Sequence, residues 1–270
     1  MNKLKHFNPV VSDVIDQFQT VELMARIFTK EESPAAVRGL LISGDAGMGK
    51  TYFTMKGLYD SINPNRIHYI KGSSITAAAF YVKLYFAKEQ GSVLVLDDVD
   101  IIHKSPAELN TILDLLKGAT EMTSGSRSIS WERASTNQLM KDHDIPSRFD
   151  FQGSIVWITN DTIADIEKKA KGHFPAISSR MTQIPLRLDN NQKLQYTLYL
   201  LSEQDMLGKS CNTKEGGYTS AIQQSTIDFI RENYRLLTDI TPRAAAKIAD
   251  TMEQYPDHWK MIIENSMFKK

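Results

Sequence analysis

Short apolar runs alternate with longer amphipathic stretches through the first two thirds of the chain. The runs Gly39–Ser43, Ile67–Ile70, Ser92–Leu96, Ser154–Thr159 and Gln183–Arg187 predict strands. The third and fourth are continuous and rich in β-branched residues, as central strands covered on both faces should be. Pro185 has no N–H to give to a ladder, so the last strand is expected to be short or at an edge. Between the runs, apolar residues recur at helical spacing over Val11–Thr29, Thr51–Leu58, Thr76–Lys88 and Ala107–Thr120. Ser105-Pro106 predicts a cap and a first-turn proline for the last of these. Strands alternating with helices predict a mostly parallel, three-layer α/β sheet.

The pattern changes after Leu188. Asn191–Asp205, Ser220–Leu237, Pro242–Gln254 and Asp257–Met267 read as helices, with a glycine-containing loop at Leu207–Tyr218 and no further strand. The expected organisation is an amino-terminal helical segment (1–37), an α/β domain (38–189) and a small all-helical domain (190–270). The segment 123–150 does not fit the alternation and is too polar for core. Ser126–Trp131 alternates like an exposed strand, and Phe149 and Phe151 flank Asp150 in the same way. A β-hairpin-like insertion is expected there, and long structured insertions are often functional.

Composition narrows the class. Of 270 residues, 41% are hydrophobic and 24% charged, an ordinary globular balance. Lys+Arg and Asp+Glu are both 32, so no global basic signature announces a nucleic-acid binder, although a local basic patch remains open. Cys211 is the single cysteine; it forms no intramolecular disulfide and reads as an inert loop thiol in a reducing compartment. The amino-terminal residues Met1–Phe7 lack a signal-peptide apolar core. No apolar run approaches the roughly 20 residues of a membrane span. A soluble cytoplasmic protein is expected.

The candidate chemistry starts at Gly44-Asp45-Ala46-Gly47-Met48-Gly49-Lys50-Thr51, which matches the P-loop pattern between a predicted strand and a predicted helix. Glycines let backbone N–H groups turn toward a phosphate, and the helix N-terminus adds partial positive charge. Lys50 is expected on the β- and γ-phosphates and the Thr51 hydroxyl on magnesium. Tyr52, next along the helix, is included in the nucleotide-contacting segment. Val93–Leu96 runs into Asp97-Asp98, which places two carboxylates at the carboxyl edge of the sheet. Asp97 is expected to hold Mg2+ with Thr51, and Asp98 to orient or deprotonate the attacking water. Asp100 reads as structural. ATP and Mg2+ are the expected cofactors.

From the P-loop and the acid pair onward, roughly Arg38 to Met252, the chain resembles the AAA+ ATPase superfamily. That resemblance implies further roles. Asn160, ending Trp157-Ile158-Thr159-Asn160, matches the polar sensor 1 position; its alternative is a cap on the helix that begins at Thr162-Ile163. Arg180, in Ile177-Ser178-Ser179-Arg180-Met181, resembles the Ser-Arg finger that reaches a neighbouring subunit's nucleotide. Arg148 is a rival in Pro146-Ser147-Arg148-Phe149. Arg243, in Thr241-Pro242-Arg243, resembles the lid arginine called sensor 2, with a solvated helix-start arginine as its alternative. The pair is Asp-Asp where many relatives carry Asp-Glu, which sets the second carboxylate about one methylene back. An ATP-dependent homo-oligomer is implied, acting in DNA replication or recombination as a loader-like ATPase with DNA or a DNA-associated protein as partner, and phage-type sequences share the look of Val95–Asp100. A protein-remodelling ring and a slow-hydrolysing assembly switch are the alternatives. Against the ring, Lys71–Ile75 offers no aromatic pore residue.

Overall fold

The computed structural model describes residues 9–27, 38–122, 127–132, 138–208 and 214–270. Cys211 and the amino-terminal Met1–Phe7 lie outside them. In chain order the elements open with α1 (Pro9–Ile27), β1 (Gly39–Gly44), α2 (Lys50–Tyr59), β2 (Ile67–Lys71), α3 (Ala77–Phe86), β3 (Val93–Asp97) and α4 (Pro106–Ala119). There follow β4 (Arg127–Ser130), α5 (Gln138–Asp142), β5 (Arg148–Phe151), β6 (Ser154–Thr159), α6 (Ile163–Ala170), α7 (Phe174–Arg180) and β7 (Thr182–Leu186). The chain continues with α8 (Asn190–Ser202), α9 (Ser220–Asn233), α10 (Pro242–Gln254) and α11 (Trp259–Met267).

Contacts divide the chain into two compact units. One comprises Met1–Gln17, Asp45–Met48 and Arg187–Lys270; the other comprises Phe18–Gly44 and Gly49–Leu186.

The second unit holds a five-stranded parallel sheet of order β2-β3-β6-β1-β7. All residues of β1, β3 and β6 are buried, as the continuous apolar runs require. β7 is an edge strand, which accommodates Pro185. Strand alternation sends Leu41, Leu94, Leu96, Ile155 and Trp157 into one core with α3 and α4. Helix α1 fastens to α2 by a Phe18–Phe53 stack at 5.0 Å and by Glu22, which pairs with Lys56 at 2.9 Å. Helix starts follow side-chain chemistry: the Thr76 hydroxyl accepts from the Ala79 N–H, and Thr162 forms a reciprocal capping box with Asp165. The cap expected from Ser105 is not made by its side chain; Pro106 alone marks that start.

The segment 127–151 contains an antiparallel pair, β4 with β5, joined through the short helix α5. Its expected exposed character is corrected. Arg127, Ile129, Trp131, Phe149 and Phe151 are all buried, and the apolar ones join the main core. The strand reads as polar because its inward face carries an arginine and its outward face serines. Tyr81 lies between Trp131 and Phe149, with ring centroids at 5.5 and 5.1 Å. Its hydroxyl donates to the Pro146 carbonyl at 2.9 Å. Burial, with help from the Glu132 charge, pushes the phenol up to about 12.

The first unit has its own core. Leu194, Leu201, Ile227, Phe229, Ile230, Ala245, Ile248, Ala249, Met252 and Ile263 bring α8–α11 together. Asp189 opens α8 with a second capping box, through Gln192, and Thr241 caps α10 by accepting from the Ala244 N–H at 3.1 Å.

Candidate nucleotide site

Gly44 to Thr51 turns the end of β1 into the start of α2. Gly49 stands at the helix entrance with φ 107°, a conformation that costs an L side chain and suits glycine. Gly44 lies so close to the Leu186 carbonyl that an added Cβ would collide with it. Past this turn, Lys50 is buried at 7% exposure. Its ammonium donates to the Gly44 carbonyl at 2.7 Å and to Asn160 Oδ1 at 2.8 Å. A buried ammonium needs such partners, because desolvating a charge without them costs several kcal/mol, ~3 or more.

Asn160 continues the chain of contacts: its Nδ2 donates to Asp98 Oδ1 at 2.8 Å. The parallel β3–β6 pairing sets Asp97 beside Ile158, two residues before Asn160, so adjacent strands present these groups at one sheet edge. Asn160 therefore touches both the P-loop lysine and the second acid. It does not cap α6, since Thr162 does. Asp98 is exposed and holds φ 54°, a left-handed conformation that aspartate tolerates better than most residues. Its N–H donates to the Ile158 carbonyl at 2.9 Å, which fixes that turn.

Asp97 is 3% exposed. Thr51 Oγ1 donates to its Oδ1 at 2.8 Å, and the Tyr69 hydroxyl donates to its Oδ2. Burial, then this hydrogen bond and the Asp97 charge, raise the Tyr69 phenol well above its ordinary value. Nothing in the period-2 pattern of β2 singles out Tyr69. Register does: Tyr69 pairs with Val95, two positions before Asp97, and a long side chain reaches that diagonal neighbour.

Thr51 and Asp97 are oxygen donors of the hard kind that magnesium prefers. Among the described residues no three His, Cys, Asp or Glu side chains gather into a metal cage.

The remaining predicted residues fall elsewhere. Asp45 is ion-paired with Lys193 of α8 at 2.7 Å. A Cβ placed on Gly47 would lie 3.2 Å from the Arg243 Cβ and 3.3 Å from the Thr241 hydroxyl, all within the first unit. Met48 is buried, whereas Tyr52 is 56% exposed, with its ring edge-on to Phe53. Ala46 is exposed. Arg180 ends α7, just before β7. Thr182 pairs with Leu40 at the amino end of β1, away from the P-loop end. The Arg180 guanidinium donates to the Lys117 carbonyl at 3.2 Å and lies 3.5 Å from Glu121. It is not brought to Lys50 or Asp97 of its own chain. The rival Arg148 donates to Ser128 Oγ at 2.7 Å across the β4–β5 pair. Asp100 accepts from the His103 N–H at 3.3 Å and shapes the loop after β3.

A parallel sheet of this order, with a glycine loop after β1 and an acid-ended β3 separated from β1 by β6, fits the P-loop α/β fold, and a helical carboxy-terminal unit follows it in the chain. No family model matches the chain. It is similar to the "Uncharacterized 36.7 kDa protein in nrdC-mobD intergenic region" of Enterobacteria phage T4, 29% identical over 233 residues that span 84% of this chain and 67% of the phage protein. Among solved structures it is similar to NtrX from Brucella abortus in complex with ADP, with a TM-score of 0.45 and 13% identity over 93% of this chain and 62% of NtrX. It is also similar to the ADP complex of Hsp104 from S. cerevisiae, with a TM-score of 0.49 and 14% identity over 96% of this chain and 47% of Hsp104. The chain thus spans less than two thirds of either solved chain. Among the described residues no helix is long and apolar enough to cross a membrane.

Proposed function

We propose that this chain binds Mg-ATP at Gly44–Thr51 and hydrolyses it to ADP and phosphate. The observation that carries the proposal is the hydrogen-bond chain Lys50–Asn160–Asp98, set beside the Thr51–Asp97 pair. Lys50 supplies a cation for the β- and γ-phosphates, and the loop N–H groups bind their oxygens. Asn160, donating to Asp98 through one N–H, keeps a second N–H and an Oδ1 lone pair for a water placed beside the pair. Asp98 then receives the proton as that water's oxygen attacks the γ-phosphorus and the bond to the β-phosphate oxygen breaks. Magnesium held by Thr51 and Asp97 would offset the negative charge that gathers on the phosphate oxygens.

The experiment is steady-state turnover of the wild type and of Asp98→Asn, with ATP binding measured in parallel. The variant is expected to lose about 10²-fold or more in turnover while still binding ATP. Equal, near-background rates in both proteins would overturn hydrolysis and favour the assembly switch.

Arg180 is proposed to act on a neighbouring subunit's nucleotide, which is supported by its distance in register from its own P-loop. An arginine used in trans contributes ~10³–10⁵ in rate. The chain is therefore expected to assemble when a non-hydrolysable ATP analogue is added, as read by sedimentation velocity. A monomer at high concentration with the analogue would count against this role. Arg243, beside Gly47 within the first unit, is proposed as the lid arginine.

For the work done with ATP, a DNA-associated, loader-like role is proposed ahead of polypeptide remodelling. Ile75, Phe80 and Tyr81 are all buried, so the stretch 72–81 after β2 has no large apolar side chain free to grip a polypeptide. Turnover with single-stranded DNA, double-stranded DNA and unfolded protein distinguishes the two: stimulation by DNA supports the first, and stimulation by unfolded protein alone overturns it.

A further inference from the structure

Asp97 accepts from two hydroxyls, one on each carboxylate oxygen. Thr51 Oγ1 holds Oδ1 at 2.8 Å, and the Tyr69 hydroxyl holds Oδ2. The carboxylate is 3% exposed, whereas the Tyr69 residue is 40% exposed on the edge strand β2. The difference matters because Thr51 has a single hydroxyl proton. Once that proton is given to Asp97, both oxygen lone pairs face away from the carboxylate. Their direction is therefore set by where Oδ1 lies. The terminal torsion of aspartate is broad and two-fold, so a second hydrogen bond, on the other oxygen, narrows the range over which Oδ1 can turn. Tyr69 makes that bond.

We propose that Tyr69 is a positioning residue for the magnesium end of the site, acting through Asp97 on Thr51. The proposal rests on the Mg-ATP reading above. It does not place Tyr69 in contact with substrate. Removing the hydroxyl leaves a buried carboxylate oxygen without its donor, and the carboxylate is then free to turn toward water or the metal in a less suitable pose. Outer-shell partners of metal ligands typically alter metal affinity or activity by about 10- to 100-fold when changed.

The test is calorimetric titration of wild type and Tyr69→Phe with a non-hydrolysable ATP analogue, in EDTA and across a series of Mg2+ concentrations. Phenylalanine keeps the ring, and melting temperature without nucleotide checks that the fold is kept. Binding in EDTA is expected to be the same for both proteins. The Mg2+ concentration that gives half of the Mg-dependent gain in affinity is expected to rise about 10-fold in the variant. An unchanged Mg2+ dependence would overturn the proposal. So would an equal loss in EDTA and in Mg2+, because that pattern marks a merely structural contact. Failure of the wild type to bind the analogue in either medium would overturn the Mg-ATP reading itself, and this inference with it.

Discussion

Lys50→Ala is expected to reduce ATP affinity by about 10²–10³-fold and to bring hydrolysis to background. The size follows from what the ammonium does. It is the one cationic side chain of the loop, buried at 7% exposure and directed by Gly44 and Asn160. A charge-assisted hydrogen bond contributes roughly 1.5–3 kcal/mol. Two such bonds to phosphate oxygens amount to roughly 3–6 kcal/mol, each 1.4 kcal/mol is about tenfold in affinity, and the lower part of that range is expected because the ammonium already has the Gly44 carbonyl and Asn160 Oδ1 as partners. The same substitution leaves the Gly44 carbonyl and Asn160 Oδ1 without their donor, so a small loss of stability accompanies it. Thermal melting separates that loss from the binding defect. Lys50→Arg is expected to fail as well, because a planar guanidinium does not replace a compact ammonium in a buried site. Nucleotide affinity of Lys50→Ala within threefold of wild type would contradict the assignment of the loop.

Arg127→Met is expected to destabilise the fold by about 2–4 kcal/mol. Arg127 is 4% exposed. Its guanidinium donates to the carbonyls of Ala119 at 2.6 Å, Gly153 at 2.7 Å and Phe151 at 3.1 Å. It also lies over the Phe151 ring at 5.0 Å. One side chain thus closes the carboxyl end of α4, where the helix dipole favours a cation, and ties the β4–β5 pair to the segment entering β6. Burial, and secondarily the charge of Arg38, push its pKa down to about 10, so it stays cationic at neutral pH. Methionine fills comparable apolar volume but leaves the Ala119 and Gly153 carbonyls without this donor and removes the side-chain bond to the Phe151 carbonyl, each a cost of about 1 kcal/mol or more. Melting temperature should fall by roughly 5–10 °C. Arg127→Lys, which keeps the charge but not the fork, should lie between. A methionine variant that melts within 1 °C of wild type would show that these contacts contribute little.

The two predictions differ in how visible their residues are in the sequence. Lys50 belongs to a contiguous pattern whose physics is local: a strand, a glycine turn and a helix start. Arg127 looks like a polar residue on an exposed strand. Its role depends on three carbonyls at residues 119, 151 and 153, which the fold gathers around it. Asn160 stands between these cases. Its place after an apolar strand suggests a site residue, and Thr162, by taking the cap of α6, removes the helix-capping alternative.

The sequence by itself determined the parallel α/β architecture, the helical carboxy-terminal region and the glycine loop between β1 and α2, and it narrowed the strand containing Pro185 to a short or an edge one. Each follows from periodicity or from a backbone requirement confined to a few neighbouring residues. The tertiary structure alone decided which partners the buried polar groups take. Register across β2, β3 and β6 brings Tyr69 to Asp97 and Asn160 to Asp98, and packing turns Arg127 inward. The Tyr69–Asp97 and Asn160–Asp98 contacts join residues 28 and 62 positions apart along the chain. Their existence depends on which strands become neighbours and in what register, and no local pattern of apolar and polar positions carries that information.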